Sequence, residues 1–599
     1  MKLKRTFISI VALMLAVCLM PTALAATWYL EDGDITVIAD ENGQSVKQGS
    51  NSAVADSDTV ITQRDSEKAT DNTITVSTTD DATANITIED VNINSYGDAI
   101  DVGSSGANIT LEGDNKLNSE YGSGLHVSDG DVTITGSGSL EAGSKNDSNN
   151  NAAIGSHENE AMSGDITIGG DAQVTAVSRD DGAGIGSGDM GEMSGDITIG
   201  DNAQVTAWSE TGGAGIGSGR ESNMSGNITI GGSAQVTAGS NSETAGIGSG
   251  NNGVFTSTGR VVIRDSAKVT AIGENEGAGI GTGEDELMAG MIIIQDNAQV
   301  TAIAGDRAAA IGSDNRNEMT GTIIIIGNAR VTTGILDDDD DVYFDYNTKE
   351  IKYTLDENAT GYIGDSKYSN HESDEGHYII GPDVTINGIS GSDIEALKDY
   401  INMRLSGENH DGEPENLTKL DVRSENGEFT VTAEGEGAVE KILYGGSENV
   451  PTAPGTYPVT CVVRIGEETI EFQIGTYVVP EPVPRPEPMA HHTRIQLYRV
   501  ADKQGSSIAY KAVQKGGVLT ITTDEKEAKL IIERGGLFAL SRQGITKIVF
   551  VTASQKSAIS VSAAMEKGSG EFVLLHGSRK VKLTVAGAAV DADGILIKE

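Results

Sequence analysis

An enzyme acting on a uronic acid or a glycosidic bond needs several carboxylates and an Arg, Lys or His converging on one face to move a proton. His126 in GLHVSDGD and His157 in GSHENE are the only histidines between residues 26 and 334. Nothing in their spacing brings them together, so each reads as a residue of a solvated turn, and no catalytic residue is assigned. The segment HESDEGH, His371 to His377, carries two histidines and three acids. It could ligate a metal, yet it lacks the helical H-E-x-x-H arrangement, so the metal question stays open. Five consecutive aspartates, Asp337 to Asp341, lack the spaced ligands of a calcium loop and read as a solvated cap. No cofactor is expected, with calcium the one ion left open. The remaining candidate is Trp208, one of two tryptophans; an exposed indole is a platform for a sugar ring.

These residues sit in a repeat. The isoleucine of GIG falls at Ile154, Ile185, Ile216, Ile247, Ile280 and Ile311, with steps of 31 residues and one of 33. The valine of QVTA keeps the same beat at Val174, Val205, Val236, Val269, Val300 and Val331. A fixed period of this size marks a solenoid or propeller. Each unit holds three short alternating stretches bounded by Gly, Asn, Asp or Ser, which predicts three strands per unit. The links between them are too short for helices, and the units are shorter than propeller blades. The expected fold is therefore all-β: a right-handed parallel β-helix of 31-residue coils, followed by small β-sandwich-like domains. Asp171, Asn202, Ser233, Ser266, Asn297 and Asn328 recur before the third strand as turn residues that tolerate unusual φ/ψ. Ile86, Ile109 and Val132 repeat at 23 residues and predict tighter coils upstream, at least nine coils in all.

If Val174 and its equivalents face inward, the period of two sends Thr175, Thr206, Thr237, Thr270, Thr301 and Thr332 outward. Beside them runs a column of Val177, Trp208, Gly239, Ile272 and Ile303. This stripe is either a carbohydrate-binding surface centred on Trp208 or a face packed beneath long loops. The GAGIG…ITI…VTA coils resemble those of bacterial cell-surface and carbohydrate-binding β-helix proteins. That resemblance implies architecture more than ligand, since such coils serve adhesins and sugar binders, and pectate lyases share the fold.

Lys2, Lys4 and Arg5 before the apolar run Phe7 to Met20, then Ala23-Leu24-Ala25, predict a signal peptide over 1–25. The β-helix is expected over 26–334. An acidic cap or connector with one helix follows over 335–415, where Ser392 and Glu395 form a capping box and Gly407 ends the helix. Residues 416–479 alternate as strands, and ILYGGSENVPTAPGTYPVTCVVRIGEETIEFQI resembles bacterial immunoglobulin-like modules. The resemblance implies a spacer with Cys461 buried as a small apolar residue. PEPVPRPEP opens an extended linker over 480–492. Residues 493–599 form a β-rich domain with 16 Lys plus Arg against 10 Asp plus Glu.

The net charge of −47 argues against nucleic acid, and after the leader no apolar run spans a bilayer. The chain therefore reads as a secreted or cell-surface bacterial protein that binds polysaccharide or host glycans without catalysis. The alternatives are a lyase or glycoside hydrolase on the same fold, and a purely structural stalk. The basic C-terminal domain, with Lys511, Lys515, Arg579, Lys580 and Lys582, is expected to hold an anionic cell-wall polymer.

Overall fold

An Ile-Thr-Ile triplet sends two apolar side chains one way and a threonine the other, which a strand satisfies and a helix does not. The computed structural model describes residues 26–597 except 80–81, 147, 285–286, 306, 314–318, 338–341, 357–358, 365–375, 402–415, 426–427, 467, 480–496, 533, 566–570, 578–579, 587 and 591–594. The proposed leader and linker thus lie outside the described residues, as do Asp338 to Asp341, His371 and Gly407. In the structure each triplet is a strand paired in parallel with its equivalent one repeat on. Ile166–Ile168 pairs with Ile197–Ile199, Gln173–Ser178 with Gln204–Ser209, and Ile154–Gly155 with Ile185–Gly186.

The result is a parallel β-helix with three sheets, of 14 strands through the ITI positions, 11 through QVTA and 13 through GIG. Thirteen strands of the ITI sheet, from Thr27–Tyr29 to Leu417–Glu425, are joined by parallel pairings. At strand spacings near 4.8 Å they extend roughly 58 Å. Inward residues such as Ile185, Ile197, Ile199, Val205 and Ala207 form one continuous core. The second glycine of GIG has a structural reason: Gly186 has φ +142°, and a Cβ there would lie 1.7 Å from the Gly217 carbonyl oxygen. Met162, Met193, Met224, Phe255, Met288 and Met319 add a buried rung in the loop after GIG, each bridged to the next.

Several expectations need correction. The left-handed turn residue is one position earlier than expected: Gly170, Asp201, Gly232, Asp265, Asp296 and Gly327 carry positive φ. The following positions still stack, as when Asn202 Nδ2 donates to Asp171 Oδ1 at 3.0 Å. Upstream, Ile86 faces Ile109, but Ile109 pairs with Ile134, because the next coil is two residues longer.

The β-helix does not stop at residue 334. Ile311 pairs with Ile363, Ile323 with Tyr378, and Val331 with Ile386, completing a further coil. An insertion carrying the hairpin Tyr343–Asp345 and Glu350–Lys352 hides it in the sequence. The helix is a single turn, Ile394–Leu397, capped by the Asp393 carboxylate rather than by Ser392. Residues 416–479 are not a spacer set apart from the rod. Leu417–Glu425 and Glu428–Gly435 extend the ITI sheet, and a three-stranded sheet, Ala438–Tyr444, Gly455–Ile465 and Glu468–Val479, packs onto that sheet's outer face. There Ile293, Ile324 and Ile379 share a core with Val459, Cys461 and Phe472. Cys461 is buried, and burial pushes its thiol up to about 12.

The chain divides after Pro482 into two compact units. The second has two five-stranded sheets, the helices Arg534–Arg542 and Val561–Met565, and its own apolar core. No helix among the described residues is long and apolar enough to cross a membrane.

Candidate functional site

The stripe expected around Trp208 keeps its register and loses its exposure. Thr175, Thr206, Thr237, Thr270, Thr301 and Thr332 face one another coil by coil, the first five half-buried and Thr332 exposed. The neighbouring column does point out of the rod, but the insertion after residue 334 covers it. Val177, Trp208, Ile272 and Ile303 form a separate cluster with Leu336, Val342, Phe344 and Ile351. Trp208 is 1% exposed, so the indole offers no platform. His377 Nδ1 donates to the Glu436 carboxylate at 3.2 Å, from a strand inside the ITI sheet.

Two exposed aromatics, Tyr96 and Tyr121, follow strands of the same QVTA sheet in its earlier coils. Asn92 and Asn94 alternate outward along Asn92–Ser95, and Tyr96 follows. One coil on, Lys116 and Asn118 face out and Tyr121 follows. The Tyr121 N–H donates to the Tyr96 carbonyl at 3.0 Å, which holds the turns in step. The two rings lie 4.7 Å apart at 45° and are 72% and 52% exposed. A polar groove beside these strands is lined by Asn92, Asp114, Lys116, Glu141 and Lys349. Lys349, from the insertion hairpin, bonds Glu141 at 2.5 Å. An exposed amphipathic ring pair offers faces for the C–H groups of a sugar, and Asn118 and Glu120, which precede Tyr121, offer donors and acceptors for hydroxyls.

Two residues beyond each tyrosine the chain enters a charged cluster on the outer side of the GIG sheet. Asp98 follows Tyr96, and the Ser123 N–H, two residues past Tyr121, donates to Asp98 Oδ1 at 2.7 Å. Asp101 sits on Ile100–Gly103, opposite His126 on the next strand. His157 and Glu160 come from the loop after Ile154–Gly155. The two imidazoles, expected in separate turns, stack at 3.8 Å and 4°. His126 Nδ1 lies 2.9 Å from Asp101 and its Nε2 2.8 Å from Glu160. His157 Nε2 lies 2.7 Å from Asp98, and its Nδ1 3.6 Å from Glu160.

Burial works against a charge on His126, but the Asp101 hydrogen bond and the Asp98 and Glu160 carboxylates outweigh it and raise the ring to about 9. Burial likewise pushes Asp98 up, while the hydrogen bond and charge of His157, the Ser123 N–H and His126 bring its carboxyl below the usual range. Asp98, His126 and His157 each place one donor atom within 4.8 Å of the others, a spacing that can hold a metal ion.

Sequence reasoning missed Tyr96, Tyr121, Asp98, Asp101 and Glu160. The signal was present in NSYGDAIDVG and NSEYGSGLHV: both tyrosines precede glycine, and Asp101 aligns with His126. It becomes visible only once these coils are allowed a step other than 23. No family model, curated protein or solved structure matches the chain.

Proposed function

We propose that the protein is an exported, surface-associated β-helix that binds polysaccharide or host glycan without cleaving it, across the outer face of its early coils. The single observation that carries this is the Tyr96–Tyr121 pair, two solvent-facing rings held in register by the hydrogen bond between their turns. The basic C-terminal unit supplies attachment to an anionic wall polymer, with Lys511, Lys515, Lys580 and Lys582 exposed; Arg579 lies outside the described residues.

Retention on immobilised polysaccharides and a glycan array identifies the ligand class. Tyr96→Ala and Tyr121→Ala should then each weaken binding about fivefold or more, since truncating an anchoring aromatic costs more than about 1 kcal/mol. Undiminished retention by both variants would reject the site. The His126–His157 cluster is the observation that favours a lyase or hydrolase instead. Incubation with acidic polysaccharides therefore includes assays for reducing ends and unsaturated uronates, and product formation would replace the binding reading with the enzymatic one.

A further inference from the structure

We infer that Asp98, His126 and His157 form a binding site for a divalent transition metal ion of the zinc type, independent of whether the neighbouring tyrosines bind glycan. His126 Nδ1 and His157 Nε2 face Asp101 and Asp98, at 2.9 and 2.7 Å, and Asp98 also reaches within 3.9 Å of His126 Nδ1. The opposite nitrogens, His126 Nε2 and His157 Nδ1, both face Glu160, at 2.8 and 3.6 Å. Two nitrogens and the Asp98 carboxylate thus converge on one side, Asp101 holds His126 Nδ1, and Glu160 stands behind both rings.

At His126 that is the arrangement of a metal ligand with its outer support, since Glu160 lies 2.8 Å from Nε2 and a ligating imidazole characteristically donates its other N–H to a carboxylate that fixes the tautomer. Two histidines and one aspartate, with the fourth position left to water, match the tetrahedral N/O preference of zinc, whereas calcium takes oxygen donors alone. The donors of Asp98, His126 and His157 lie within 4.8 Å of one another, against roughly 3.3 Å between ligand atoms at zinc bond lengths. Small side-chain rotations close that gap.

Electrostatics point the same way. Three carboxylates surround the two stacked rings, a local excess of acidic groups that a dication offsets. The scaffold is rigid: Asp101 and His126 are on paired strands, and the Ser123 N–H anchors Asp98.

The purified full-length protein, stripped with chelator and dialysed against zinc chloride, should retain one zinc per chain by elemental analysis, undisturbed by millimolar calcium. Cobalt(II) in its place should give the intense visible absorption of a tetrahedral site. His126→Ala combined with His157→Ala should lose that zinc, whereas His377→Ala, at the other described histidine–carboxylate pair of the rod, should keep it. Glu160→Ala should weaken zinc binding about 10- to 100-fold while leaving the stoichiometry at saturation unchanged. Zinc retained equally by a folded double-histidine variant overturns the site. Should that variant fail to fold, the cobalt spectrum of the unaltered protein decides, and absence of the tetrahedral bands overturns it.

Discussion

Trp208→Ala tests whether the insertion hairpin is held by the column that it covers. The indole lies across Gly239, where an added Cβ would stand 3.0 Å from the indole and 3.1 Å from Ile351 of the hairpin. Removing a buried tryptophan costs about 3–5 kcal/mol. The indole N–H is buried without a hydrogen-bond partner, however, and deleting it recovers about 1–3 kcal/mol. The net loss is about 2 kcal/mol. It falls on docking of the hairpin, because Trp208 belongs to the cluster outside the rod core. Amide exchange of Tyr343–Asp345 and Glu350–Lys352 should therefore accelerate roughly 30-fold, with the rod strands unchanged. Trp208→Phe, which keeps most of the apolar surface and drops the orphan N–H, should change exchange far less. If Trp208→Ala left hairpin protection intact and instead weakened polysaccharide retention, the covering role would be refuted and the platform reinstated.

Ile197→Asp should cost several kcal/mol by burying an unpaired carboxylate, and the half-buried Thr198→Asp much less, as read by chemical denaturation; equal damage would contradict the inward and outward faces. Gly186→Ala should disrupt pairing with the Gly217 coil and expose the middle coils to protease, given φ +142° and the 1.7 Å approach; an unaltered digestion pattern would count against that contact. In the C-terminal unit, His576 is fully buried between Thr552 and Ser557, and burial lowers it to about 4. The unfolded chain then takes the proton first, so stability is full above about pH 6.5 and falls by about 3 kcal/mol as pH drops towards 4. His576→Gln should flatten that slope in thermal unfolding at stepped pH. Residues 483–599, which have their own core, should sediment with cell walls at low salt and release at 1 M, where the Debye length shrinks to about 3 Å; binding indifferent to salt would remove the electrostatic anchor.

What the sequence determined by itself is what a strand's own geometry enforces. A period of two assigns Ile197 and Ile199 inward and Thr198 outward whatever surrounds them, and a regular 31-residue step puts each on its equivalent in the next coil. Even the covering of the ITI sheet left a local mark, since the outward threonine of Thr167, Thr198 and Thr229 becomes Val262, Ile293 and Ile324 where the three-stranded sheet packs. Tertiary structure decided which outward residues meet water. Trp208 has the parity of an exposed residue and is buried by Phe344 and Ile351, more than a hundred positions away, because apolar surface is covered by whichever segment reaches it. It also decided the cluster. Asp98, His126 and His157 come from three coils of unequal length, and each turn's length sets which residues stack; a shift of two residues in one coil would separate them.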